Sequence, residues 1–406
     1  MCVTAAHDAA EYRLALVRKM RCGGVLDDPA WFRAFATVPR EAFLRGGVLQ
    51  QADGPLGTWW QPLTPDDPGF LHEVYRDVPL ATQVNGHITA SDLMPGSGAT
   101  GAATCSSSQP SLMALMLDHL RVEPDMTVLE IGTGVGYNAA ILATHVGADR
   151  VTTIEFDTVL AETARAALTA RGGTAPTVVT GDGTQGHASR APYDRLIATC
   201  GFPDVPQAWL GQVRPGGLIV ANLYQPLGTG LLAVLRVQPD GTALGRVAAD
   251  SGGFMPTRAI TTVNPAARHR AAWRTLSAAD TRPSPLAIDA LDDAGFRFHA
   301  GLSVPAADFE VIADDPRETE RWLFADDGSV ARARPAQDGT TVLQDGPVPL
   351  WTALEDAHDT YQRLGMPGRG TYRIAVTEKD QYVWHPGQPE KHWPLTSSSA
   401  GDDNPP

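Results

Sequence analysis

The chain has 406 residues, 43% of them hydrophobic, which is enough for a sizeable core and more than one domain. Its formal charge of −14 is a poor electrostatic match to a phosphate backbone or an anionic membrane, so neither nucleic acid nor a membrane is expected as a partner. Four scattered cysteines without CxxC pairs, and eleven histidines without metal-ligand spacing, argue against a disulfide framework or a metal site and point to a reduced, cytoplasmic setting.

Residues 8–46 carry helical periodicity. In "EYRLALVRKM" Leu14, Val17 and Met20 fall near one face. After a Gly-Gly break, "DPAWFRAFATV" offers Asp28 as N-cap and Pro29 at the first helical position. Charges inside this apolar pattern exclude a signal peptide, and no run approaches a membrane span. Residues 47–105 are rich in Gly, Pro, Asp and Thr and read as long loops with short strands; such loops bind ligands or are disordered, and their lead into the serine segment favours binding. Trp59 and Trp60 within them suit a lid, a peptide contact or a buried anchor. "CSSSQPSLMALMLDHL" follows, a polar cluster running into an amphipathic helix near Pro110. Leu112, Met113, Leu115 and Met116 read as core; Ser108 or Ser111 suits an N-cap.

From 127 to 222, strands "TVLEIG", "RVTTIEF", "PTVVTGD", "DRLIATC" and "GLIVANL" alternate with helices over Tyr137–Val146, Thr158–Arg171 and Pro206–Gln212, the pattern of a parallel sheet. "LLAVLRVQPDGTALGRV" reads as a hairpin about Asp240–Gly241. The pattern changes near residue 250. Residues 251–395 read as a mixed α+β region with hairpins in "RWLFADDGSVARARP" and "TYRIAVTEKDQYVWHPG" and a helix Leu350–Leu364 closed by Gly365. His269, His299, His358, His385 and His392 there read as structural or exposed, and the tail 396–406 as disordered.

"VLEIGTGVGYN" sets Gly132, Gly134 and Gly136 directly after a strand. The third glycine of a dinucleotide fingerprint would fall at Tyr137, which does not support a pyrophosphate cradle. A tight turn before a helix accounts for the glycines alone. Glu155, at the tip of the next strand, is placed to accept both hydroxyls of a ribose, and Asp182 in "GDG" (Gly181–Gly183) to accept an adenine amino hydrogen. Tyr137 and Asn138 open the following helix at the same crevice. Cys200, at the fourth strand's tip, reads as a small buried thiol.

This order of glycine loop, acidic strand tip and GD segment resembles the class I S-adenosylmethionine-dependent methyltransferases. "LVRKMRCGGVLDDPAWFRAFATVPREAFL", "EVYRDVPLAT", "SSSQPSLMALMLDHL", "GDGTQG" and "APYDRLIATCGFPDVPQAWLGQVRPGGLIV" narrow the resemblance, over roughly residues 10–240, to the protein-L-isoaspartate O-methyltransferases. It implies an α/β fold: a Rossmann-like seven-stranded class I domain over 1–250 with N-terminal helices, 47–105 as a loop-rich substrate-side insertion, and 251–395 as a C-terminal α+β extension for substrate recognition. It implies S-adenosyl-L-methionine as donor and S-adenosyl-L-homocysteine as product. Ser111, Glu130, Gly132, Thr133, Gly134, Gly136, Tyr137, Asn138, Glu155, Phe156, Gly181, Asp182 and Gly183 are the implied cofactor contacts, Ser107, Gln109 and Pro110 the substrate contacts, and Ser108 the catalytic hydroxyl. No metal is implied.

The chemistry suits these residue types. Methyl transfer from a sulfonium is an in-line displacement, and a carboxylate is already ionised at neutral pH. The enzyme needs positioning and hydrogen-bond donors, not a strong base. A hydroxyl and backbone amides at a helix N-terminus supply both.

Two departures from a minimal repair enzyme are the stretch 83–104 and the region beyond 250. With the "GTYRIAVTEKDQYVWHPG" ending, they resemble the branch of the family found with ribosomally made peptide pathways. That branch implies methylation of an aspartate in a macrocyclic precursor, leading to succinimide (aspartimide) or isoaspartate. The alternatives are isoaspartyl repair of proteins and a non-catalytic S-adenosylmethionine-binding module.

Overall fold

The computed structural model of the chain describes residues 2–54, 57–228, 230–257, 276, 281–304, 307–312, 319–337 and 339–395. The expected tail and His269 lie outside them. The chain forms two compact units: residues 1–200 with 206–221 and 236–241, and residues 201–205, 222–235 and 242–406.

The first unit opens with α1 (Cys2–Cys22) and α2 (Pro29–Thr37). The Asp28 carboxylate accepts the Ala30 and Trp31 amides at 2.6 and 3.3 Å, with Pro29 at the first helical position. α1 buries Leu16, Val17 and Met20; Leu14, expected on that face, is exposed.

The region expected as long loops with short strands forms an antiparallel sheet. Its strands are β1 (Val48–Gly54), β2 (Gly57–Leu63), β3 (Leu80–Val84), β4 (Ala99–Thr100) and β5 (Ala103–Ser107), in the order β4-β2-β1-β3-β5, with α3 (Phe70–Val74) between β2 and β3. The edge strands β4 and β5 are separated by Gly101 and Ala102 alone. Gly101 has φ +134°, and a Cβ there would lie 2.0 Å from Asn85 Oδ1. Asn85 brackets this corner: Nδ2 donates to Thr100 O at 2.9 Å and Oδ1 accepts the Ala102 amide at 3.2 Å. Leu49, Ala81, Val84 and Ala90 form a small core, joined by Trp60 and Ile88. Trp60 Nε1 donates to Gly101 O, and the Trp59 ring lies against Gly98, so the tryptophan pair anchors this sheet.

Then follow α4 (Pro110–Leu120), β6 (Val128–Ile131), α5 (Tyr137–Val146), β7 (Val151–Glu155), α6 (Thr158–Thr169), β8 (Thr177–Thr180), β9 (Tyr193–Phe202), α7 (Gln207–Gln212) and β10 (Val213–Leu223), in strand order β8-β7-β6-β9-β10. β6 pairs in parallel with β7 and β9, and β7 with β8. Every residue of β6 and β7 is buried, as central parallel strands require. The chain builds outward from β6 on both sides, which makes the carboxyl end of β6 the topological switch point where ligands bind in such sheets.

The second unit contains β11 (Leu231–Val237), β12 (Ala243–Val247), β13 (Arg282–Ser284), α8 (Ala294–Ser303), β14 (Ala307–Ile312), β15 (Glu320–Ala325), β16 (Val330–Ala336), β17 (Gly339–Asp345), α9 (Leu350–Arg363), β18 (Arg373–Val376), β19 (Gln381–His385) and β20 (Gln388–Pro394). β11 and β12 are neighbours, as the expected hairpin requires. β15 and β16, and β18 and β19, pair antiparallel as the sequence indicated, and Gly365 follows α9 at φ +80°. Phe296, Leu323, Val342, Trp351 and Leu354 belong to its core. His299 is a structural residue: it is fully buried, Nδ1 meets the Tyr372 hydroxyl at 2.7 Å, and burial holds its pKa down to about 4. No helix among the described residues is long and apolar enough to cross a membrane.

Candidate active site

The glycine loop leaves β6 with Gly132, Gly134 and Gly136 at φ +92°, +52° and +88°, a left-handed backbone that L side chains rarely adopt. The amides of Gly132 and Thr133 donate to Ile154 O. The Gly134 amide donates to Glu155 Oε2 at 2.8 Å, while Oε1 accepts the Asp157 amide at 3.1 Å. Asp157 in turn caps α6 through the Val159 and Leu160 amides. Glu155 is thereby fixed at the tip of β7, and each oxygen keeps a lone pair for a further donor.

The third strand end is equally constrained. Asp182 accepts from the Thr184 amide at 2.9 Å and its hydroxyl at 2.7 Å. A Cβ on Gly183 would lie 2.4 Å from Ile131 Cγ2, and Trp209 Nε1 donates to Gly183 O. Phe156, beside Glu155, is 65% exposed, and Gly181 meets nothing at its Cβ position. Asn138 Oδ1 is buried without a hydrogen-bond partner among the described residues. Acidic side chains at successive strand ends, an exposed aromatic ring and an unsatisfied buried acceptor fit an adenosine-bearing donor.

Three expected cofactor contacts have their side chains turned away from this crevice. Glu130 is fully buried beneath the loop, accepting from Asn138 Nδ2 at 2.7 Å and Thr153 Oγ1 at 2.6 Å. Thr133 pairs with Thr153 through their hydroxyls. Tyr137 packs its ring against Phe35 and Phe43, because that face of α5 meets the N-terminal helices. These residues shape the loop from behind. Burial pushes the Glu130 carboxyl up to about 7, against its hydrogen bonds. A raised acid pKa contributes stability below the unfolded-state value that is lost as pH rises through the folded one. Wild type should therefore lose stability relative to Glu130→Gln between about pH 5 and about pH 8, by roughly 2–3 kcal/mol. Urea unfolding at both values measures this, and parallel pH profiles would contradict it.

Cys200 is half-buried at the tip of β9, and burial beside Glu155 and Glu130 pushes its thiol up to about 12.

The serine segment is the end of β5 running into α4. Strand alternation sends Cys105 and Ser107 inward and leaves Ser106 and Ser108 half-buried on the other side. Ser107, expected to face substrate, is instead 2% exposed with its hydroxyl 3.0 Å from Arg40 Nε. Pro110, also expected there, is buried at the first position of α4. Neither Ser108 nor Ser111 caps that helix. The N-cap is Gln109, and the carboxylate that reaches the first turn is Asp77, whose Oδ1 accepts the Ser111 amide at 2.9 Å. The Ser111 hydroxyl pairs with Gln109 Nε2, so these two side chains hold each other. The two halves of the site meet at Gly134: a Cβ there would lie 3.5 Å from Ser106 O and 3.7 Å from Cys105 Sγ.

Several contributors escaped the sequence reading: Arg40, Asp77, and the pair Gln83 and Thr104. Thr104 Oγ1 donates to Gln83 Oε1 at 2.8 Å, and Gln83 Nε2 reaches Asp157 Oδ2 at 3.4 Å, tying β3 and β5 to the turn after Glu155. The signals were present in "VPREAFL", "YRDVPL" and "ATQV", but only the folded chain assembles them.

The family model for protein-L-isoaspartate(D-aspartate) O-methyltransferase matches residues 67–241. The chain is 33% identical over 218 residues to the protein-L-isoaspartate O-methyltransferase of Methanothermobacter thermautotrophicus, covering 53% of this chain and 80% of that one. With the Ignicoccus hospitalis enzyme of the same name it shares 30% over 238 residues, covering 58% and 93%. A match to the Azorhizobium caulinodans relative is 43% identical over 119 residues and spans about half of that protein, 54%. A solved protein-L-isoaspartate O-methyltransferase structure, 20% identical with a TM-score of 0.51, covers 92% of this chain and 99% of that one, and so shares its fold well beyond the family-model segment.

Proposed function

Because the chain belongs to the protein-L-isoaspartate O-methyltransferase family, whose methyl donor is S-adenosyl-L-methionine, we propose that it methylates the free carboxylate of an isoaspartyl residue in a peptide or protein. The observation that carries this reading is the convergence at Gly134, where the donor-side loop held by Glu155 runs so close to the acceptor-side segment that a Cβ added to Gly134 would lie 3.5 Å from Ser106 O. S-adenosyl-L-methionine supplies an electrophilic methyl group on a sulfonium and leaves as S-adenosyl-L-homocysteine.

Glu155 accepts the ribose hydroxyls through the lone pairs that its backbone contacts leave free, and Asp182 accepts from the adenine amino group. Phe156 offers its exposed face to the adenine. The Ser108 hydroxyl donates to the acceptor carboxylate and orients one oxygen along the line of displacement. An oxygen lone pair forms the new C–O bond as the C–S bond breaks, and no proton has to move. The fixed Gly134 and Ser106 backbones bring the two reactants to one place without further ordering.

The extension beyond residue 250 was expected to signal a macrocyclic precursor as substrate. A protein-L-isoaspartate O-methyltransferase structure shares the fold over 92% of this chain, so the extension by itself does not favour that substrate. An isoaspartyl acceptor is the better-supported reading, and the intact Glu155, Asp182 and Ser108 speak against a purely binding module. Offered an isoaspartyl peptide, its aspartyl counterpart and a macrocyclic aspartyl peptide together, the enzyme should methylate the first. Methylation of the macrocycle alone would reverse the assignment.

A further inference from the structure

Arg40 is a fully buried cation whose side-chain hydrogen bonds all end on carbonyls and one hydroxyl. Nη1 donates to Val74 O at 2.8 Å and Arg76 O at 3.1 Å. Nη2 donates to Val78 O at 3.1 Å, Ser107 O at 3.0 Å and Ser108 O at 2.9 Å, and Nε to the Ser107 hydroxyl. One guanidinium thus grips two consecutive peptide groups of the serine segment and the segment that carries Asp77.

The peptide planes turn this grip into a statement about the reaction site. In a trans peptide the N–H points opposite to the carbonyl. With the Ser107 and Ser108 carbonyls turned to Arg40, the Ser108 and Gln109 amides point away from it. Along an extended strand the carbonyl of one residue and the amide two residues on face the same side. A Cβ added to Gly134 would meet Ser106 O at 3.5 Å, which puts that oxygen on the glycine-loop side of the strand, and the Ser108 amide lies on the same side. Neither the Ser108 nor the Gln109 amide donates to another group among the described residues.

We propose that Arg40 is a positioning residue for methyl transfer, presenting the Ser108 and Gln109 amides as a two-donor cradle for the acceptor carboxylate. This inference rests on the carboxyl-methylation reading. A positive charge held against the far end of both peptide groups polarises them and strengthens their N–H donors, in a buried setting where such preorganised dipoles act most strongly. Burial lowers the guanidinium pKa only to about 10, so the charge persists at neutral pH. The Ser108 hydroxyl then works beside two amides, and all three share one scaffold. Lysine keeps the charge but has no planar fork to hold two adjacent carbonyls.

The test compares wild type, Arg40→Lys and Arg40→Met. S-adenosylmethionine binding by calorimetry is expected to stay within about twofold, while kcat on an isoaspartyl peptide falls in the order wild type, lysine, methionine, by about ten- to a hundredfold at the end of the series, as for a weakened oxyanion cradle. Guanidinium ion added to Arg40→Ala is expected to recover part of kcat. Wild-type kcat in Arg40→Met overturns the inference. So does loss of S-adenosylmethionine binding in Arg40→Lys, which would make the residue purely structural. A wild type that binds S-adenosylmethionine but methylates no peptide overturns the functional reading, and the inference with it.

Discussion

Ser108→Ala should lower methyl transfer to an isoaspartyl peptide by about a hundred- to a thousandfold, the range for removing one preorganised donor from a charge-stabilising site. Its affinity for S-adenosylmethionine and its melting temperature should barely move. The second half is what the structure adds. From sequence, Ser108 served equally well as a helix cap, and loss of a cap costs about 1 kcal/mol of stability. Here the Asp77 carboxylate reaches the first turn of α4, Gln109 is the N-cap residue, and the Ser108 hydroxyl has no hydrogen bond among the described residues. The hydroxyl can therefore be deleted without unsatisfying anything in the protein. A destabilised variant with normal specific activity would return Ser108 to a structural role. Asp77→Ala is the matching control, with the expected loss in stability.

Glu155→Ala should weaken S-adenosylmethionine binding by about a hundredfold or more, since two hydrogen bonds to a charged acceptor contribute about 1.5–3 kcal/mol each. The same carboxylate accepts the Gly134 amide, so its loss also frees the loop that runs beside Ser106. Peptide turnover at saturating donor should fall along with affinity. Glu155→Gln keeps an acceptor and loses the charge, and it should lie between wild type and alanine. Unchanged affinity in calorimetry would remove Glu155 from the donor site.

The parallel sheet was legible because its signals are local. β6 and β7 are short runs rich in β-branched residues and buried throughout, the helix over Tyr137–Val146 has the expected bounds, and an acidic residue at a strand tip is located by connectivity alone. What failed depends on partners distant in sequence. The sheet over 48–107 pairs short strands around corners made by Gly101 and Asn85, and no periodicity survives in a two-residue strand such as β4. Ser107 and Ser108 are adjacent in a uniform polar run, and only the register of β5 against β3 decides which one turns inward. Glu130 and Tyr137 sit within the glycine motif, yet packing against α2 and Thr153 turns both away from the crevice. Arg40 reads as an ordinary charged residue until the fold gathers five carbonyls around it.

The most direct test is transfer of a labelled methyl group from S-adenosylmethionine to a synthetic isoaspartyl peptide, with its aspartyl counterpart as the control. The predicted result is a base-labile methyl ester on the isoaspartyl peptide, formed with release of S-adenosylhomocysteine and nearly absent from the control. A protein that binds S-adenosylmethionine yet leaves the isoaspartyl peptide unlabelled would contradict the assignment.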